Sequence, residues 1–167
     1  MNLRVLLACV VLLLGAAVPA CAAEAEGDIL GFWWSPQKDA KIELFLDASG
    51  SLAGRLIALP QKSANDVDTQ NPDAALRGRR LLGLVIFGGF RQEAKNRWVD
   101  GKAYDPESGG TFSARIWLED ADRAMIHGYL VIPLFGRTAT FQRVSGAAPR
   151  RRQPGEPELV HLDKAEN

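Results

Sequence analysis

Between Gly27 and Val144 the apolar residues recur at every second position, and turn-forming residues interrupt them often, a pattern that dictates strands and argues against helices. Lys41-Ile42-Glu43-Leu44-Phe45-Leu46 alternates most clearly, and Asp47-Ala48-Ser49-Gly50 then turns the chain into Leu52 to Leu59 as a hairpin. Further strands are expected at Gly31 to Trp34, Leu82 to Phe90, Arg97 to Tyr104, Thr111 to Leu118, Ala124 to Ile132 and Arg137 to Val144. About eight strands joined mostly by short turns describe one all-β domain, an antiparallel up-and-down barrel or a sandwich. A barrel leaves no free edge to protect. At this size its interior is either filled by side chains or holds one small ligand, and the pattern does not choose between them. Pro60 to Arg80 interrupts the meander with a long polar loop rich in Asn, Asp and Gln, a length that marks a functional or a disordered segment.

The ends of the chain read differently from its middle. A basic start at Arg4, an apolar run from Val5 to Val18 and small residues through Ala23 make the three-part pattern of a secretory signal over residues 1–22. The run is 14 residues, short for a membrane span, so an exported, periplasmic protein is expected. Two cleavage readings compete. Ala20-Cys21-Ala22 satisfies the small-x-small rule, whereas Val18-Pro19-Ala20-Cys21 resembles a lipobox in which Cys21 becomes an acylated first residue and anchors the chain to the envelope. Membrane association is expected only in that second case. Cys9 and Cys21 are the only cysteines, so cleavage after Ala22 leaves no thiol for a disulfide, a nucleophile or a metal. Residues 145–167 hold Arg150-Arg151-Arg152, three prolines and few large apolar residues, the composition of a disordered tail. Without Arg4 the chain has 19 basic against 20 acidic residues, which offers nucleic acid no electrostatic reason to bind.

Several segments, read in order, carry a resemblance. They are Gly31-Phe32-Trp33, Asp66 followed by Asn71-Pro72-Asp73, Leu82-Gly83-Leu84, Trp98 before Gly101-Lys102-Ala103-Tyr104-Asp105-Pro106, Gly128-Tyr129, Gly136-Arg137-Thr138 and Phe141-Gln142-Arg143. Together they resemble the bacterial family catalogued as domain of unknown function 2147. The resemblance implies a small exported domain with a lipocalin-like barrel and no established reaction. It also implies a structural closure in which the guanidinium of Arg143, on the last strand, lies across the indole of Trp33, on the first. The chain departs from the family pattern at three places. No cysteine pair flanks the first hairpin, His127 stands where an arginine usually precedes Gly-Tyr, and Phe141 replaces a tryptophan.

No catalytic signature is present: neither H-E-x-x-H nor G-x-S-x-G occurs, and no cofactor or metal is called for. His127, the lone histidine of the folded part, reads first as a hydrogen-bonded packing residue. Asp66, Asp68, Asp73, Asp105 and Glu107 lie in turn-rich segments, where such residues bond their own backbone, and their spacing is not that of an EF-hand. On simple alternation Trp98 and Tyr104 share one face of their strand, and His127 and Tyr129 one face of theirs. Facing inward, they would make an aromatic wall with polar handles suited to a small molecule; facing outward, they are surface aromatics. The leading expectation is a non-enzymatic envelope protein whose barrel binds a small apolar or amphipathic ligand, with Asn71, Asp73, Trp98, Tyr104, Asp105, His127, Tyr129 and Arg137 as candidate contacts. An interior filled by side chains would remove it. The alternative is an enzyme in which Asp73 and Asp105 converge in one cleft with His127 or Tyr104 as acid or base. A third reading is a pocketless interaction module presenting its loop or tail.

Overall fold

The computed structural model describes residues 28–145, so the signal-like segment, Cys21 and all but the first residue of the tail fall outside it. Eight strands form a closed antiparallel barrel in simple chain order. They are β1 (Gly31–Trp34), β2 (Lys41–Leu46), β3 (Leu52–Ala58), β4 (Val85–Ala94), β5 (Arg97–Asp105), β6 (Gly110–Asp120), β7 (Arg123–Tyr129) and β8 (Gly136–Arg143). β1 pairs with both β2 and β8, so the sheet has no free edge.

Alternation decides what fills the barrel. Trp33, Ile42, Leu44, Leu52, Leu56, Phe87, Phe90, Trp98, Ala114, Ile116, Leu118, Ala124, Ile126 and Phe141 are buried and form one cluster. Size complementarity lets the large rings fit. A Cβ on Gly101 would stand 2.2 Å from the Phe90 ring, and one on Gly54 2.7 Å from the Phe87 ring. The glycines of β5 and β3 thus leave room for the phenylalanines of β4 between them. The outer wall is polar and charged: β6 presents Thr111, Ser113, Arg115, Trp117 and Glu119 on the face opposite Ala114, Ile116 and Leu118, which is not the apolar band of a membrane-spanning barrel.

One end is sealed. The segment before β1 crosses beneath it, with Ile29 buried and its N–H donating to Asn96 Oδ1 at 3.1 Å. Trp33 Nε1 donates to the Ile29 carbonyl at 2.9 Å. The Arg143 guanidinium sits 4.2 Å from the Trp33 ring centroid and donates to the carbonyls of Ala121, Leu30 and Asp28. A planar cation that stacks on the indole and bonds three carbonyls in two chain segments ties the last strand, the first strand and the β6–β7 turn together.

Three strand boundaries differ by three residues or more from the alternation pattern. β4 starts at Val85, because Gly83 adopts φ 88 and Leu81 to Leu84 form a turn closed by Leu84 N–H to Leu81 O. It continues to Ala94 and turns through Lys95 and Asn96, the latter at φ 54. β7 stops at Tyr129, so the apolar run Leu130 to Ile132 is loop instead of strand. Pro133 explains the stop, since it cannot donate to a ladder and biases Ile132 away from further pairing. The long polar segment is ordered by two short 3-10 turns, Gln61–Ser63 and Ala74–Leu76, and an isolated antiparallel bridge between Val67 and Arg80.

Candidate functional site

The open end carries the connections β1–β2, β3–β4, β5–β6 and β7–β8, and most candidate residues gather there. Its floor is an edge-to-face pair, Phe87 of β4 and Phe141 of β8, with centroids 6.0 Å apart across the barrel. Below the floor the interior is packed, with Trp33, Phe90, Leu52, Ile116, Ala114 and Ala124 fully buried. A deep chamber running the length of the barrel is therefore ruled out, and the ligand expectation is confined to the mouth.

Above the floor the inward positions are small or half-buried: Ala103, Phe112, Gly128 and Ala139. A Cβ on Gly128 would meet only Phe112 Cβ, at 3.8 Å, so the wall has space there. Arg137 pairs with Gly128 and shares the inward face with Ala139 and Phe141. It is exposed at the rim, and its side chain makes no ion pair or hydrogen bond with other described residues. The mouth is thus a shallow apolar cup with one unpaired cation at its lip.

A buried polar network anchors the long loop beside this cup. Asp68 is 0 % exposed. Its carboxylate accepts from Tyr104 Oη at 2.5 Å, Asn71 Nδ2 at 2.8 Å and Arg79 Nε at 2.9 Å, with Arg79 Nη2 at 2.8 Å completing an ion pair. The Arg79 guanidinium also lies 5.4 Å from the Tyr104 ring centroid. Burial alone would raise the Asp68 pKa, but the hydrogen bonds from Tyr104, Asn71 and Arg79 outweigh it and hold the carboxyl below its ordinary 3.8. Burial and the bond to that carboxylate push the Tyr104 hydroxyl above 10.0, so it stays protonated and donates. Asn71 bonds the Asp73 backbone through Oδ1 and accepts from Arg77 Nε through its carbonyl.

Two of the inward-facing expectations fail. Trp98 and Tyr104 do not share a face. The β5–β6 register shifts between Trp98 and Gly101, and Asp100 takes φ 63, so a bulge inserts one residue and reverses the alternation. Trp98 points into the packed half, where its Nε1 is a buried side-chain nitrogen without a partner, whereas Tyr104 points away from the barrel axis toward the loop. His127 and Tyr129 do share a face, with ring centroids 6.0 Å apart, but it is the outer one, since Ile126 and Gly128 take the inward positions.

His127 is buried because the β7–β8 loop folds over it. Its Nε2 lies 2.7 Å from the Pro133 carbonyl, which only accepts, so Nε2 carries the proton. Its Nδ1 lies 2.8 Å from Thr138 Oγ1. Both nitrogens are engaged, which makes His127 a strut. The loop carboxylates are engaged as well: Asp73 caps the turn at Ala75 N, and Asp105 accepts from Glu107 N and Ser108 Oγ. Each carboxylate is thus committed to its own turn, and the described residues contain no group of three or more His, Cys, Asp or Glu side chains able to hold a metal. Sequence reasoning missed Arg79 and took Asp68 for a turn-forming residue, whereas its carboxylate is buried and accepts from Tyr104, Asn71 and Arg79 instead of its own turn's backbone. A second depression, of about 270 Å³ on the outer wall, is lined by Glu93, Arg97, Val99, Arg115 and Trp117 and faces open solvent.

This barrel, closed at one end by a crossing N-terminal segment and open at the other under four loops, is lipocalin-like. Protein HP1028 from the human pathogen Helicobacter pylori, described as belonging to the lipocalin family, shares the fold at a TM-score of 0.65 and 23% sequence identity, over 72% of this chain and 85% of that one. Residues 31–143 match the family described as an uncharacterized protein conserved in bacteria (DUF2147), and the chain belongs to that family. No curated protein matched the sequence.

Proposed function

We propose that the protein is an exported carrier that seats a small amphipathic molecule with an acidic head group in the mouth of its barrel. The observation that supports this most is Arg137, an inward-facing and unpaired guanidinium at the lip of an otherwise apolar cup. An unpaired cation beside apolar surface recognises a carboxylate or phosphate whose tail can be buried. The packed half limits how much of the tail enters, so binding is shallow and the chain end or the head remains near solvent. Lipocalin-like folds serve many functions, so the fold by itself contributes little beyond the cup. The signal-like segment supports a periplasmic location, with Cys21 acylation as the variant that would tether the carrier to the envelope.

The test is a solution titration with a fluorescent long-chain fatty acid, on the secreted protein and on Arg137→Ala. Saturable binding that weakens about tenfold or more in the variant is expected, from the loss of one charge-assisted contact. No saturable binding by the secreted protein, or equal binding by both, would remove the reading.

A further inference from the structure

The β7–β8 connection is the most apolar exposed surface of the described residues. Leu130, Val131, Leu134 and Phe135 are 73%, 86%, 80% and 77% exposed, and Ile132 is 44%. Large exposed apolar side chains scattered singly need no explanation, but five of six consecutive positions do. Nor is this segment a loose end. His127 holds the Pro133 carbonyl, Phe135 N–H donates to the Ile132 carbonyl, and β7 and β8 pair in register up to Tyr129 and Gly136 at its base. The side chains of Val131, Leu134 and Phe135 are thus presented to solvent on a braced tip at the rim of the mouth.

Charge identifies what covers the tip. Residues 124–142 contain no Asp or Glu, and Arg137 is the one cation among them, at the foot of the hairpin. An apolar tip with a cation at its base matches the layering of an anionic lipid surface, acyl chains below phosphates. The other exposed large apolar residues, Leu46, Leu76, Leu82 and Val85, are 40–49% exposed and lie on other strands and loops. They build no complementary groove for a convex tip in a second copy, whereas a bilayer interface needs no shape complement. The neighbouring β5–β6 turn carries Asp105 and Glu107, which an anionic surface repels, so on this side of the rim the tip is the leading contact. We propose that the Leu130–Phe135 hairpin inserts into the interface of an anionic bilayer and turns the mouth toward lipid. The docking stands on this hairpin alone and does not require the cup to hold a ligand.

The experiment is flotation of the secreted chain carrying Cys21→Ser, so that no acyl chain contributes, with phosphatidylcholine vesicles with and without phosphatidylglycerol. Val131→Asp and Leu134→Asp are compared with it, and the fatty-acid titration is repeated on each. The expected result is co-flotation that is about fivefold stronger on the anionic vesicles. It should fall roughly tenfold to a hundredfold in either variant, with tryptophan emission and fatty-acid titration unchanged. Protein that stays at the bottom with both vesicles overturns the proposal, as do variants that float like the parent. A concentration-dependent dimer in sedimentation that both substitutions abolish, without flotation, overturns it in favour of a second copy. Flotation without fatty-acid binding would leave the docking intact and remove the carrier reading instead.

Discussion

Replacing Gly101 by alanine tests whether the closed half of the barrel is filled, and so how deep a ligand can go. The added Cβ would stand 2.2 Å from the Phe90 ring, against the 3.4 Å at which ordinary contact begins, so ring or strand must yield by about 1.2 Å. Phe90 is fully buried, with no open space to move into. Overpacking of this kind costs about 1–3 kcal/mol. Gly101 does not lie at positive φ, so the alanine meets no backbone strain and even gains about 0.4–1 kcal/mol by restricting the unfolded chain. A net loss of about 1–2 kcal/mol is expected, read by urea denaturation or as a Tm lower by roughly 4–8 °C. Phe90→Leu restores the space. The Gly101→Ala/Phe90→Leu pair should therefore be at least about 1 kcal/mol more stable than the sum of the single effects. If Gly101→Ala is neutral to within about 0.5 kcal/mol and shows no coupling to position 90, the closed half has room to spare and the floor at Phe87 and Phe141 is not the bottom of the ligand site.

Three further outcomes are expected. Asp68→Ala leaves Arg79 half-buried without its partner and should cost about 3 kcal/mol, with the loss of order in the Pro60 to Arg80 loop read as faster hydrogen exchange there. Because the Asp68 pKa is lowered on folding, the stability it supplies is present above the unfolded value near 3.8 and is lost as pH falls through the still lower folded value. The acid limb of the parent protein's stability curve should flatten in Asp68→Asn, seen in urea midpoints between about pH 2 and 5. Arg143→Lys keeps the charge but cannot serve three carbonyls and the Trp33 face at once. It should lose about 1–3 kcal/mol with a shift in tryptophan emission, and an unchanged urea midpoint would remove the closure role.

The strand count, the order of strands and the antiparallel meander were legible because period two survives over most of the sheet, and β1 and β2 have the expected bounds. What the alternation hid is where the period slips. One extra residue between Trp98 and Gly101 reverses every face beyond it, and nothing in Trp98-Val99-Asp100-Gly101 separates a bulge from a straight strand except a glycine that also serves as space for Phe90. Leu130 to Ile132 reads as strand because apolar, β-branched residues suit strands, and only Pro133 hints at the stop. At the mouth, Arg137 could be placed inward by counting from Phe141. Arg79 could not be singled out, since Arg77, Arg79 and Arg80 look alike until the Val67–Arg80 bridge sets which of them reaches Asp68.

The bulge in β5 gives one strand two unrelated duties. Below Asp100, Trp98 belongs to the barrel's packing; above it, Tyr104 reaches outward to pin a loop. Straightening the strand at its present length would restore strict alternation, carrying Tyr104 into the lumen and Ala103 to the surface while stripping Asp68 of its hydroxyl donor. A natural or engineered relative that lacks the extra residue would keep Trp98 and Tyr104 on opposite faces without any bulge, whereas one that retains it must also retain the bulge to hold its long loop.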